Sequence, residues 1–193
     1  MSKSAAENLI NGALRSNAKH GIEGTTVTNI VAEAGLTRAM IMKTFGNKEA
    51  LLRATAERYG ETYFKKIDQL TASAGPDPQD IVRAMIRADL SEEVLNAQSI
   101  AVLSVMRSLA QTDPEIRAFS STRDRRLRDI YTTAIANSLR DPETVHPKAE
   151  DLATAAIAML EGFWADYFLF MDSFDRQKAE QLVAMLLEPY WDR

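Results

Sequence analysis

Apolar residues recur at three- and four-residue intervals along the chain, and no segment sustains an apolar-polar alternation. The pattern predicts an all-α protein of about nine helices. Leu9, Ile10, Ala13 and Leu14 put an apolar stripe on a first helix, over about residues 4–20, and Gly21 is a good C-terminal stop. Thr25 or Thr26 can cap a second helix, whose buried side is Val27, Ile30, Val31 and Ala34. Gly35 makes a tight turn, Thr37 caps a third helix, Phe45 closes it against the bundle and Gly46-Asn47 breaks it. Lys48 opens a long fourth helix, to about Ala72. Gly75-Pro76-Asp77-Pro78 is the clearest loop and falls between helices. Further helices are expected at about 79–91, 95–111, 114–139, 148–172 and 175–190. Asp113-Pro114, Asp141-Pro142 and His146-Pro147 separate them, with Pro at or just before helix starts, and Asp175 or Ser173 caps the last.

Composition narrows the chemistry. The 193 residues contain no Cys, which excludes disulfides, thiolate metal sites and a Cys nucleophile. The two histidines, His20 and His146, are far apart, so no metal site is expected. The first residues form neither a signal peptide nor an anchor, and acids interrupt each later apolar run. A soluble, cytoplasmic protein is expected. Net charge is -4, but unevenly spread. Residues 1–66 hold ten Lys or Arg against six Asp or Glu; residues 67–193 hold thirteen against twenty-one. A basic head on an acidic body suits a protein that meets phosphate only at its head.

The most informative stretch is 25–45. Two short helices joined at Gly35 form a pair that can push its second helix into the major groove of DNA. Here the residues match a family. Gly21, Thr25-Thr26, Ile30-Val31, Ala34-Gly35-Leu36-Thr37, Phe45 and Lys48-Glu49-Ala50-Leu51-Leu52 resemble the DNA-binding head of TetR-type transcriptional regulators. Ala110-Gln111-Thr112-Asp113-Pro114-Glu115 and Leu160-Glu161-Gly162-Phe163-Trp164 loosely resemble the betaine-choline branch. The resemblance implies a helix-turn-helix domain at 1–47 and a helical ligand-binding and dimerisation domain at 48–193. Two departures stand out. Ser16 and Asn17 replace a large apolar pair of the first helix, so Asn17 needs a hydrogen-bond partner if buried. Met42 replaces a Tyr that in the family commonly touches phosphate, and Lys43 follows where His is frequent.

The candidate DNA contacts are Thr26, Thr28, Thr37, Arg38, Met40, Met42, Lys43, Thr44 and Lys48. Arg38 can read a guanine edge or clamp a phosphate, and Thr37 can cap and donate to phosphate. Met40 suits a thymine methyl, while Ile41 reads as core. Lys43 and Lys48 suit phosphate, and Thr26 and Thr28 sit where helix N-terminal amides attract it. The resemblance implies a homodimer on a palindromic operator, paired through the last two helices. Ala153, Ala156, Ile157, Leu160, Trp164, Leu182, Val183, Leu186 and Leu187 supply apolar faces there, with small Ala155, Ala156 and Gly162 allowing close approach. It also implies a small effector held in the body. Candidate lining residues are Met85, Leu103, Met106, Leu109, Tyr131, Phe163, Trp164, Tyr167 and Phe168, with Glu161 or Asp166 beside Trp164 for a cation. No cofactor is expected. An enzyme is disfavoured because no His lies near a carboxylate pair and no phosphate loop or metal motif occurs. The alternative is a helical ligand-binding or interaction module without DNA binding.

Overall fold

The structure is a computed structural model and describes residues 4–139 and 148–191. Nine α-helices and no strand occur among the described residues: α1 (Ala5–Gly24), α2 (Val27–Ala34), α3 (Arg38–Phe45), α4 (Lys48–Thr71), α5 (Pro78–Asp89), α6 (Ala97–Thr112), α7 (Pro114–Ser138), α8 (Ala149–Leu169) and α9 (Arg176–Leu187). Single 3-10 turns follow α8 and α9, at Met171–Ser173 and Glu188–Tyr190. The expected separators Asp141-Pro142 and His146-Pro147 lie outside the described residues.

Local chemistry explains where the helices start and stop. Ser4 and Glu7 form a reciprocal capping box at α1: Ser4 Oγ accepts from Glu7 N–H at 3.2 Å and Glu7 Oε2 from Ser4 N–H at 3.0 Å. The regular part of α1 is interrupted at Gly21, whose φ of 63° only Gly adopts without strain. Pro78 opens α5 behind the Asp77 cap, and Asp175, not Ser173, caps α9 by accepting from Lys178 N–H at 2.9 Å.

By its packing the chain forms two compact units, residues 1–63 with 97–122 and residues 64–96 with 123–193. In the first, Leu9, Ile10, Ala13, Ile30, Ile41, Leu51 and Leu52 make a core shared by α1 to α4. A second cluster, Ala56, Val102, Val105, Met106 and Ile116, joins α4, α6 and the start of α7. The core of the second unit is drawn from α5, α7, α8 and α9. It includes Val82, Ile86, Tyr131, Ile135, Leu152, Ala156, Leu160, Val183 and Leu187.

One apolar run is longer than the sequence pattern suggested. The chain does contain a helix, α8, long and apolar enough by length and composition to cross a membrane. The physical reason for its apolarity lies inside the unit: Leu152, Ala153, Ala156, Ile157, Leu160, Trp164 and Tyr167 are buried against its neighbours, as in the central helix of a packed bundle.

Candidate nucleic-acid interface

The turn between α2 and α3 is built by Gly35 at φ 65° and ψ 32°, the left-handed conformation that ends a helix. Gly35 N–H donates to Ala32 O at 3.3 Å and Leu36 N–H to Val31 O at 3.0 Å. Thr26 is the cap of α2, its hydroxyl accepting from Asn29 N–H at 3.2 Å. Thr25 turns inward instead. Its hydroxyl lies 2.6 Å from Gly21 O and 2.8 Å from the Asn17 amide. A hydroxyl has one proton. Given to Gly21 O, it leaves Thr25 Oγ1 to accept from an Asn17 amide turned with its NH2 towards it. That arrangement also provides for the buried amide nitrogen. Both departures of the first helix are thus fully buried, and Asn17 has its partner.

Helix α1 braces this pair. A Cβ at Gly12 would fall 2.7 Å from Ala34 Cβ and 2.8 Å from Ile30 O, so α1 and α2 touch backbone to backbone. Beside that contact, Glu33 of α2 meets Lys19 at 3.1 Å, Arg15 at 3.7 Å and His20 at 3.8 Å. The Lys19 hydrogen bond, helped by the other cations, holds the Glu33 carboxyl below its ordinary value. The Arg15 guanidinium also donates to Glu33 O.

On this base α3 presents two faces. Ile41 is 2% exposed and anchors the helix in the core, with Met40 and Phe45 half-buried against the same cluster. Thr37, Arg38, Ala39, Met42, Lys43 and Thr44 face outward. The Thr37 hydroxyl makes no capping bond. Arg38 Nη2 donates to Thr28 Oγ1 on α2 at 2.5 Å, bringing two candidate contacts together across the turn. Asn47 caps α4, its Oδ1 accepting from Ala50 N–H at 2.7 Å, and Lys48 follows it half-buried. Residues 7–55 hold six Lys or Arg against four Asp or Glu, and the outward row on α3 adds hydroxyls to that positive balance, a surface suited to a phosphate backbone.

In the second unit, Asp89 at the end of α5 is 5% exposed, and Trp164 Nε1–H of α8 donates to its Oδ2 at 3.2 Å. Tyr131 of α7 is buried with no hydrogen-bond partner for its hydroxyl. Burial, with the Asp89 charge, pushes that phenol well above its ordinary value and keeps it a neutral donor. A second aromatic group already holds a cation of the chain itself. The Arg176 guanidinium lies 4.9 Å from the Tyr167 ring and 5.9 Å from the Phe174 ring. It donates to Leu90 O at 2.5 Å and Leu95 O at 2.8 Å.

Comparison with known proteins agrees with this geometry. Residues 9–55 match the profile of bacterial regulatory proteins of the tetR family, and residues 78–191 that of the BetI-type transcriptional repressor C-terminal region. The chain belongs to the TetR family. It is 24% identical over 177 residues to the HTH-type transcriptional regulator BetI of Stenotrophomonas maltophilia, covering 92% of this chain and 88% of that protein. A transcriptional regulator from Pseudomonas aeruginosa PAO1 has the same fold, with TM-score 0.84 at 19% identity over 95% of this chain and 88% of that one. So does a regulator from Saccharomonospora viridis in complex with choline, with TM-score 0.83 at 18% identity over 98% of both chains. The protein is a DNA-binding transcriptional regulator of a family that also takes small-molecule effectors and is not enzymatic.

Within this TetR-family chain several sequence expectations shift. Met40 packs on the head core, which limits its reach to bases. Of the effector candidates, Leu103, Met106 and Leu109 lie on α6 of the first unit, and Met106 and Leu109 serve its core. Met85, Tyr131, Trp164 and Tyr167 are buried in the second unit. Phe163 and Tyr167 pack edge-on against Phe174 beside Arg176, so the protein's own guanidinium fills that box. Phe168 is 59% exposed and lines no interior. Glu161 and Asp166 are exposed; the carboxylate that meets the Trp164 indole is Asp89, which sequence reasoning passed over. A signal was available: Asp89 completes the apolar stripe Val82, Met85, Ile86 at helical spacing. Among the proposed dimer residues, Ala153, Ala156, Ile157, Leu160, Trp164, Val183 and Leu187 are taken up by the unit's own core. The outward faces carry Ala158, Gly162, Ala165 and Leu169 on α8 and Leu182 and Met185 on α9.

Proposed function

We propose that the protein is a repressor that binds a palindromic operator as a homodimer in the cytoplasm and is released by a small cationic effector. The observation that carries the DNA reading is the outward row on α3, Thr37, Arg38, Met42, Lys43 and Thr44, held in place by buried Ile41. Arg38 reads a guanine or clamps a phosphate, and Thr37, with its hydroxyl uncommitted to the cap, donates to phosphate. Lys43, Lys48, Thr26 and Thr28 hold the backbone, and Met40 contributes only from the edge of the core. The DNA-binding domain then spans residues 1–47 and the effector and dimerisation domain 48–193. Pairing through Ala158, Gly162, Ala165, Leu169, Leu182 and Met185 would cover apolar surface otherwise left in water.

The effector reading rests on Asp89. A buried carboxylate that the Trp164 indole N–H meets, with the buried Tyr131 phenol close enough to feel its charge, offers a positive head group an opposite charge in an aromatic setting. The choline complex of the Saccharomonospora viridis regulator supports a quaternary ammonium. The test is a gel shift on the DNA upstream of the protein's own coding region, titrated with choline chloride against sodium chloride at equal ionic strength. A single shifted complex is expected, dissociated by choline where sodium has no effect, and Asp89→Asn retains the shift but loses the response. Absence of a shift would overturn the operator reading. An equal response to both salts, or an unchanged choline response in Asp89→Asn, would overturn the effector reading.

A further inference from the structure

Met42 is 63% exposed in the middle of α3, and among the described residues of the first unit only Ile22 joins it as a large exposed apolar side chain. Core packing does not account for it, because Ile41, Met40 and Phe45 already supply the inward face of this short helix. Its neighbours outward are Arg38, four residues earlier on the same strip, and Lys43 and Thr44. A thioether chain in that row cannot donate a hydrogen bond and accepts only weakly. Of the groups on a major-groove floor, it matches one: the 5-methyl of thymine, the single apolar feature among donors and acceptors.

Helical rise sets the register. Four residues span about 6 Å along α3, and successive base pairs lie about 3.4 Å apart. Arg38 and Met42 therefore reach edges about two base pairs apart. We propose that Met42 is a specificity-determining residue that packs on a thymine methyl in each half-site, about two base pairs from the base pair that Arg38 faces. This rests on α3 being the helix that enters the groove. The thymine contact that sequence pattern assigned to Met40 passes to Met42, because Met40 is held half-buried against the head core.

The test starts from a duplex enriched from a randomised library by the full-length wild-type protein. Each thymine of that duplex is then replaced in turn by deoxyuridine, which keeps every hydrogen-bonding edge and removes only the methyl. One position per half-site is expected to weaken wild-type binding about fourfold, the factor that burying one methyl supplies. Met42→Ala binds more weakly but is indifferent to uracil at that position while keeping its preferences at the other positions, and Met42→Leu regains part of the discrimination. If no uracil replacement weakens wild-type binding, or if Met42→Ala keeps the full penalty, the assignment to Met42 is overturned and the operator reading stands. If the library yields no enriched sequence, the groove-entering role of α3 fails, and this proposal with it.

Discussion

Replacing Gly12 with Ala sets two effects of opposite sign against each other. Gly12 lies inside α1, where Ala favours the helix by about 1 kcal/mol. A Cβ there falls 2.7 Å from Ala34 Cβ, 2.8 Å from Ile30 O and 2.9 Å from Ala34 N. Carbon atoms rest about 3.5–4.0 Å apart, so α2 would have to retreat by roughly 1 Å. Two of the three atoms are backbone and cannot rotate aside. Overpacking of this kind costs about 1–3 kcal/mol, which leaves a net loss of up to about 2 kcal/mol once propensity is subtracted. The assay is urea denaturation of Gly12→Ala, Ala34→Gly and the double variant. Removing the Ala34 methyl opens the closest contact, so the pair should show a favourable coupling above about 0.5 kcal/mol. Operator affinity should also fall in Gly12→Ala, since α2 carries the Gly35 turn that aims α3. A Gly12→Ala protein more stable than wild type by the full propensity gain, with no coupling to position 34, would refute the close approach of α1 and α2.

Thr25→Val keeps the shape but removes the hydroxyl shared by Gly21 O and Asn17; a buried amide left unpaired costs about 1–3 kcal/mol, read as a lower denaturation midpoint. Loss of stability below about 0.5 kcal/mol would count against that network. Asp113, the cap of α7, accepts from Glu115 N–H at 2.9 Å and meets Arg53 Nε at 3.0 Å. Burial raises its carboxyl, but the Arg53 hydrogen bond and the backbone N–H groups of Ile116 and Glu115 outweigh it and hold it below the ordinary 3.8. A depressed carboxyl stabilises the fold above its unfolded value and loses that effect as pH falls through the folded one. The stability gap between wild type and Asp113→Asn should therefore shrink as pH drops below about 4; a gap unchanged between pH 7 and pH 3 would contradict the pairing. Met185→Glu places a charge on the exposed face of α9 and should yield a folded monomer by sedimentation. A persistent dimer would move the interface elsewhere.

The helices were legible because periodicity and punctuation agree: Gly21, Gly35 and Gly46 all adopt positive φ, and Asp175 caps α9 as one of the two residues the sequence offered. The outward face of α3 was legible for the same reason, since Ile41 fits the inward spacing and Arg38 and Lys43 do not. Tertiary choices were less readable. A stripe such as Ala153, Ala156, Leu160 and Trp164 has one spelling whether it meets its own unit or a second copy, and packing assigned it to the former. Asp89 was missed because a lone acid in a helix reads as solvated until the residues around it are seen to be buried. Gly12 was missed because a glycine inside a helix signals nothing until the neighbouring backbone is known to lie against it.

Helix α3, proposed to read duplex DNA with its outward face, is tested by a gel shift of the upstream DNA with wild type and with the double variant Arg38→Ala, Lys43→Ala. Both side chains are exposed, so the double variant should remain folded and dimeric while the sequence-specific complex disappears. Retention of that complex, with the same preference for the operator over unrelated DNA, would rule out α3 as the helix that reads it.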